Sequence, residues 1–144
     1  MNPYDVFLHF IKQNRGREFK SPRKQFGGRS PMNFRIVDFN NEKLKMQFDS
    51  GTTLPLHFWR FETAIDNLNQ KTFIPIGARI SEDYDASSLE GILKEGYKKR
   101  TGNKTDTKTA PHIADILVLA GIAELGLAKS KLGRKVQGIR LKSN

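Results

Sequence analysis

A chain of 144 residues with no cysteine and a formal net charge of +10 fits one domain, or a small domain with an N-terminal elaboration, and can bury a core without staples. The absence of cysteine excludes disulfides and thiolate metal sites, and His9, His57 and His112 lie too far apart for metal-ligand spacing. No apolar run approaches the ~18 residues of a membrane helix, and the start MNPYDVFLHF lacks the basic region of a signal peptide, so the expected setting is cytoplasmic with no membrane partner.

In chain order, Asn2 and Pro3 form a helix start, and Tyr4, Phe7, Leu8 and Ile11 continue it as an apolar stripe, predicting a helix over residues 3–14. Residues 14–30, NRGREFKSPRKQFGGRS, read as a loop from their breakers, and carry Arg15, Arg17, Lys20, Arg23, Lys24 and Arg29. The tripeptide Arg15-Gly16-Arg17 resembles the centre of a minor-groove AT-hook, but Glu18 stands where a proline normally follows. The preferred reading takes Gly16 as a helix stop and the segment as a phosphate-contacting loop.

Residues 34–39 and 43–48 then alternate apolar and polar side chains, Leu44, Met46 and Phe48 against Lys43, Lys45 and Gln47, which predicts paired strands around the turn Asn40-Asn41-Glu42. Residues 52–56 add a third short strand, with Pro55 marking an edge or an end. Helical spacing returns at 58–69 through Phe58, Phe61, Ile65 and Leu68, with Trp59 read as a core residue. FIPIGARI, residues 73–80, is a short extended piece, and Ser87 with Glu90 forms a capping box for a helix over 88–99.

The last third is the most informative. Ile113, Ile116, Leu117 and Ala120 form the buried stripe of a helix capped by Thr109, opened by Pro111 and stopped at Gly121. Residues 122–128 and 135–141 then form a hairpin whose tip carries Lys129, Lys131, Arg134 and Lys135.

The order from Phe58 is helix, short strand, helix, helix, hairpin, and it resembles the winged-helix (winged helix-turn-helix) DNA-binding superfamily at the level of fold, over residues 57–142. The expected class is α+β: a winged-helix module over 57–144, preceded by an N-terminal lobe over 1–56 made of a helix, a basic loop and a small antiparallel sheet. The resemblance implies that the helix at 109–121 enters the major groove, with Thr107, Lys108, Thr109 and His112 at its exposed start and Asp115 one turn on. The alternative is that Thr109 only caps and His112 only decorates the surface. The hairpin cations would hold backbone phosphates, or Arg134 beside Gly133 would enter the minor groove.

The charge pattern agrees with such a partner. Lys and Arg outnumber acids by seven to two over residues 1–30, by six to two over 94–108 and by six to none over 128–144, separated by neutral or acidic stretches. A face collecting these blocks favours a polyanion, because each neutralised phosphate releases counterions; solvated Lys-rich loops are the bland alternative. The expected function is double-stranded DNA binding without catalysis and without a cofactor or metal. The chain would act as a transcription regulator or as the target-recognition part of a restriction or mobile-element system.

Docking of an acidic protein partner, with the N-terminal lobe as a further protein contact, and RNA binding are alternatives. A metal-dependent nuclease built on Asp38, Glu42, Lys43, Lys45 and Asp49 is disfavoured, since the usual Glu, any residue, Lys order is missing.

Overall fold

The computed structural model describes residues 1–26, 32–77, 87–103 and 106–143, and the chain there is a mixed α+β protein. Helix α1 (Pro3–Gln13) starts at Asn2, whose side chain accepts from Asp5 N, with Pro3 in the first turn. It buries Phe7 and Ile11. Strands β2 (Asn33–Phe39), β3 (Lys43–Phe48) and β4 (Thr53–His57) follow as an antiparallel meander, with β1 (Glu18–Lys20) added outside β2.

The period-two pattern is realised side by side: Phe34, Ile36, Leu44, Met46 and Leu56 are buried, while Lys43 and Lys45 face solvent. Asn40 makes the β2–β3 turn by accepting from Glu42 N at 2.8 Å and Lys43 N at 3.0 Å. Pro55, exposed opposite Lys45, sits on the edge strand, where its missing donor costs the ladder nothing.

Strand β4 runs without a linker into α3 (Phe58–Asn67), and the two lobes share one hydrophobic core. Its centre is aromatic: Phe7 of α1 stacks on Phe61 of α3 at 4.2 Å and meets Phe58 edge-on at 5.6 Å. Then come β5 (Ile74–Pro75), α4 (Leu89–Thr101), α5 (Ala110–Leu119) and the hairpin β6 (Ala123–Lys129) and β7 (Lys135–Leu141). These strands form a second antiparallel sheet in the order β5-β7-β6.

Three local expectations need correction. Residues 14–30 are not all loop: they hold β1 and the short helix α2 (Pro22–Phe26), which opens on Ser21, whose Oγ accepts from Lys24 N at 3.4 Å, with Pro22 in the first turn, and which is held in place by docking. Arg15-Gly16-Arg17 is not extended but turned, with Gly16 at φ 80° and Arg17 N donating to Asn14 O at 3.1 Å, so the AT-hook geometry is absent. The cap of α4 is Ser88 instead of Ser87: its hydroxyl accepts from Gly91 N at 3.0 Å. The α5 end is as expected from Gly121: it adopts φ 77°, Ile122 N returns to Leu117 O and Gly121 N to Val118 O, a Schellman stop.

The small sheet is assembled on close backbone contact. A Cβ placed on Gly138 would lie 2.6 Å from Ala128 Cβ and 3.0 Å from Ile74 O, so the β5–β7–β6 layer needs glycine there. Gly138→Ala is expected to lower unfolding free energy by about 1–3 kcal/mol, read by urea denaturation. A variant as stable as the wild type would show that the layer can spread without cost.

Candidate functional site

The helix that the sequence nominated for a groove is largely enclosed. Around α5, Ala110, Ile113, Ala114, Asp115, Ile116 and Leu117 are all buried. No residue of α5 is exposed, Pro111, His112, Val118 and Leu119 being half-buried and the other six buried, the pattern of a core helix more than of one laid open to a groove. Thr107 and Lys108 are exposed just before it. Thr109, expected at an exposed start, is instead only 2% exposed, and its hydroxyl is taken by Arg60 at 3.1 Å. That guanidinium also grips Asp106 through two bonds of 2.7 and 2.8 Å, an internal clamp between α3 and the entry to α5.

His112 and Asp115 face the N-terminal lobe, not solvent. His112 packs on Phe48 of β3 with ring centres 5.0 Å apart, and its buried Nδ1 has no hydrogen-bond partner among the described residues. Asp115 is fully buried and carries four bonds from the α2 segment: Ser21 Oγ at 2.7 Å, Arg23 Nε at 3.2 Å, Arg23 Nη2 at 3.2 Å and Arg23 N at 3.3 Å. Arg23, expected to touch phosphate, is thus spent on holding α2 against α5, and its side chain is 11% exposed.

Burial lowers the pKa of His112 from its ordinary 6.5, Arg23 and Lys24 lower it further, and Asp115 opposes them. A depressed histidine is protonated more readily in the unfolded chain. Its contribution to stability is present in full above 6.5 and is lost as pH falls through the folded value. Wild type is expected to lose more stability than His112→Gln between about pH 7.5 and pH 5 in urea unfolding. Equal losses in the two proteins would remove His112 from the pH response.

Helix α2 and the hairpin meet. Gln137 of β7 donates to Arg23 O at 3.1 Å, and Gln137 lies on the same face of the hairpin as Lys135 and its cross-strand partner Lys129. Helix α2, which carries the half-buried Lys24 and follows the exposed Lys20, is thereby tied to the hairpin that carries the four cations. Lys129, Lys131, Arg134 and Lys135 are all exposed and pair with no carboxylate among the described residues. Lys129 directly faces Lys135, a like-charge pair that costs stability unless an anion lies between or beside the two.

The other expected contacts are scattered. Arg15 pairs with Asp38 at 3.1 Å and Arg17 bonds Asn14 at 3.2 Å, both at the end of β1 away from α2; Arg29 lies outside the described residues. Lys98, Lys99 and Arg100 close the last turn of α4, where they complement its dipole. Arg100 and Arg60 also cover the ring of Trp59, at 4.7 and 4.6 Å, above Gly96.

The acidic cluster considered for a nuclease lies along the β2–β3 hairpin, where Asp38 stands opposite Lys45 and bonds Arg15 at 3.1 Å. Among the described residues no group of three or more His, Cys, Asp or Glu could hold a metal. No helix among them is long and apolar enough to cross a membrane. Sequence reasoning missed Gln137, Ser21 and Asp115 as the parts that join α2 to the hairpin and to α5. The one signal was the polarity of Asp115 inside an otherwise apolar helix.

Comparison of the chain with protein-family models, curated protein sequences and solved structures finds no match in any of the three.

Proposed function

We propose that this protein binds duplex DNA without catalysis of its own, gripping the sugar-phosphate backbone with the β6–β7 hairpin and the α2 segment. It would serve as a regulator or as the target-recognition part of a DNA-processing system such as a restriction or mobile-element apparatus. The observation that carries this reading is the hairpin end, where four exposed cations gather without an ion pair among the described residues and two of them oppose each other across the strands. Such an arrangement is costly alone and favourable beside phosphates.

The succession α3, β5, α4, α5, β6, β7, with β5 pairing back onto β7, supports treating residues 57–142 as a winged-helix module with the hairpin as its wing. The reading departs from that module's usual docking at α5. The N-terminal lobe occupies the side of α5 that carries His112 and Asp115, so the contact is assigned to the wing and to Lys20 and Lys24. Backbone contacts of this kind orient a duplex without reading bases.

The test is fluorescence anisotropy of a labelled duplex titrated with the protein at several salt concentrations. Affinity is expected to fall with salt, with a logarithmic slope of roughly −0.9 for each phosphate contacted and several contacts in all. No binding at low salt would remove the proposal. Tighter binding to single-stranded RNA than to duplex in the same assay would replace DNA with RNA as the partner.

A further inference from the structure

The hairpin leaves the body of the protein beyond the pair Ala128 and Val136. Ala128 is buried, whereas Lys129 and every residue from Lys131 to Lys135 are exposed. The end is a closed turn, not a loose loop. Ser130 N donates to Arg134 O at 2.8 Å, Gly133 N to Ser130 O at 2.8 Å, and Arg134 N to Ser130 Oγ at 3.2 Å. Gly133, at φ 80°, supplies the left-handed residue the turn requires.

This turn presents Leu132 to solvent, 81% exposed, with Lys131 before it and Arg134 two residues on. Leu127, 60% exposed, lies on the same hairpin face as Lys129 and Lys135. A lone exposed leucine is ordinary on a protein surface. At the end of a projecting, cation-lined hairpin its position has a specific chemical consequence. The cations would hold phosphates on either side, and the apolar surfaces a duplex then offers the leucine are the deoxyribose walls of the minor groove and, at its floor, the faces of the stacked bases.

We infer that Leu132 is a wedge: it enters the minor groove and parts a base step while Lys131 and Arg134 hold the flanking phosphates, so that the preferred ligand is duplex DNA at a deformable or interrupted step. The inference rests on the duplex-binding reading above and adds a substrate class to it. Parting a step bends the helix away from the wedge, and the bend is cheapest where stacking is weak. Because Leu132 makes no packing contribution in the free protein, its replacement leaves the fold alone.

The experiment uses the full chain with a short duplex labelled at its two ends for energy transfer, intact or carrying one central nick. Wild type is expected to shorten the end-to-end distance and to bind the nicked duplex on the order of tenfold tighter than the intact one. Leu132→Ser is expected to bind the intact duplex with the wild-type salt slope, yet to leave it straight and to lose the preference for the nick. Leu132→Phe should keep both. Binding by wild type without bending, or bending undiminished in Leu132→Ser, overturns the wedge and leaves duplex binding standing; no binding by any of the three overturns both.

Discussion

Replacing Lys129, Lys131, Arg134 and Lys135 together with alanine is expected to weaken duplex binding roughly a thousandfold at about 0.15 M salt. The magnitude follows from counterion release: a slope near −0.9 per phosphate makes each contact worth about 0.7 decades at that salt, and four cations supply up to about four contacts. The same replacement should flatten the salt slope itself, because the contacts that release ions are gone. Stability should not fall. All four side chains are exposed and unpaired among the described residues, and removing the facing lysines 129 and 135 relieves a like-charge pair.

A control removes Lys43 and Lys45, exposed on β3 in the other sheet, which lowers the net charge by half as much without touching the hairpin. If the control costs as much affinity per charge removed as the hairpin variant, the binding is a diffuse response to net charge and the hairpin has no special part. If neither loses affinity, the phosphate contacts lie elsewhere.

Asp115→Ala should have the largest effect on stability, a loss of about 3–5 kcal/mol in urea unfolding. The reason is what remains behind. The carboxylate is fully buried and takes both arms of the Arg23 guanidinium together with the hydroxyl of Ser21, which is 1% exposed. Without it, a nearly buried cation and a buried hydroxyl lose their partner at once, and each carries a desolvation penalty no longer offset.

Against a total stability of roughly 5–15 kcal/mol for a domain, that loss leaves little margin. Adding Arg23→Ala to the variant should recover part of it, since no charge is then stranded, and the double-mutant cycle gives the coupling directly. Losses that simply add would show that the two side chains act independently and that α2 is held by something else. Because α2 meets the hairpin through Gln137, a folded Asp115→Ala protein should also bind duplex with a shallower salt slope.

How far the chain alone discloses its structure differs from element to element, and the differences have physical causes. Helix α1, the β2–β3 pair, the Gly121 stop and the β6–β7 hairpin depend on interactions between neighbours in sequence, namely caps, turns and alternation. All are visible in the residues. The same holds for the cations of the hairpin tip, whose positions follow from strand pairing.

Helix α5 illustrates the limit. Its apolar stripe was legible, but Ala110, Ala114, Val118 and Leu119 complete an apolar surface on its remaining sides, and a helix of that composition belongs inside. What surrounds it could not be read from local pattern, because the decisive partner of Asp115 stands 92 residues away at Arg23. Helix α2 is the converse case: its start, Ser21 followed by Pro22, is a helix signal hidden among breakers, and five residues hold as a helix only because they dock.

By itself, then, the sequence determined the local elements, the α+β class and the concentration of positive charge at the hairpin, since these rest on short-range sterics, hydrogen bonding and composition. Only the tertiary structure decided which cations are free and which are consumed internally, and what encloses α5. Both questions turn on desolvation and on ion pairs made between residues far apart in the chain.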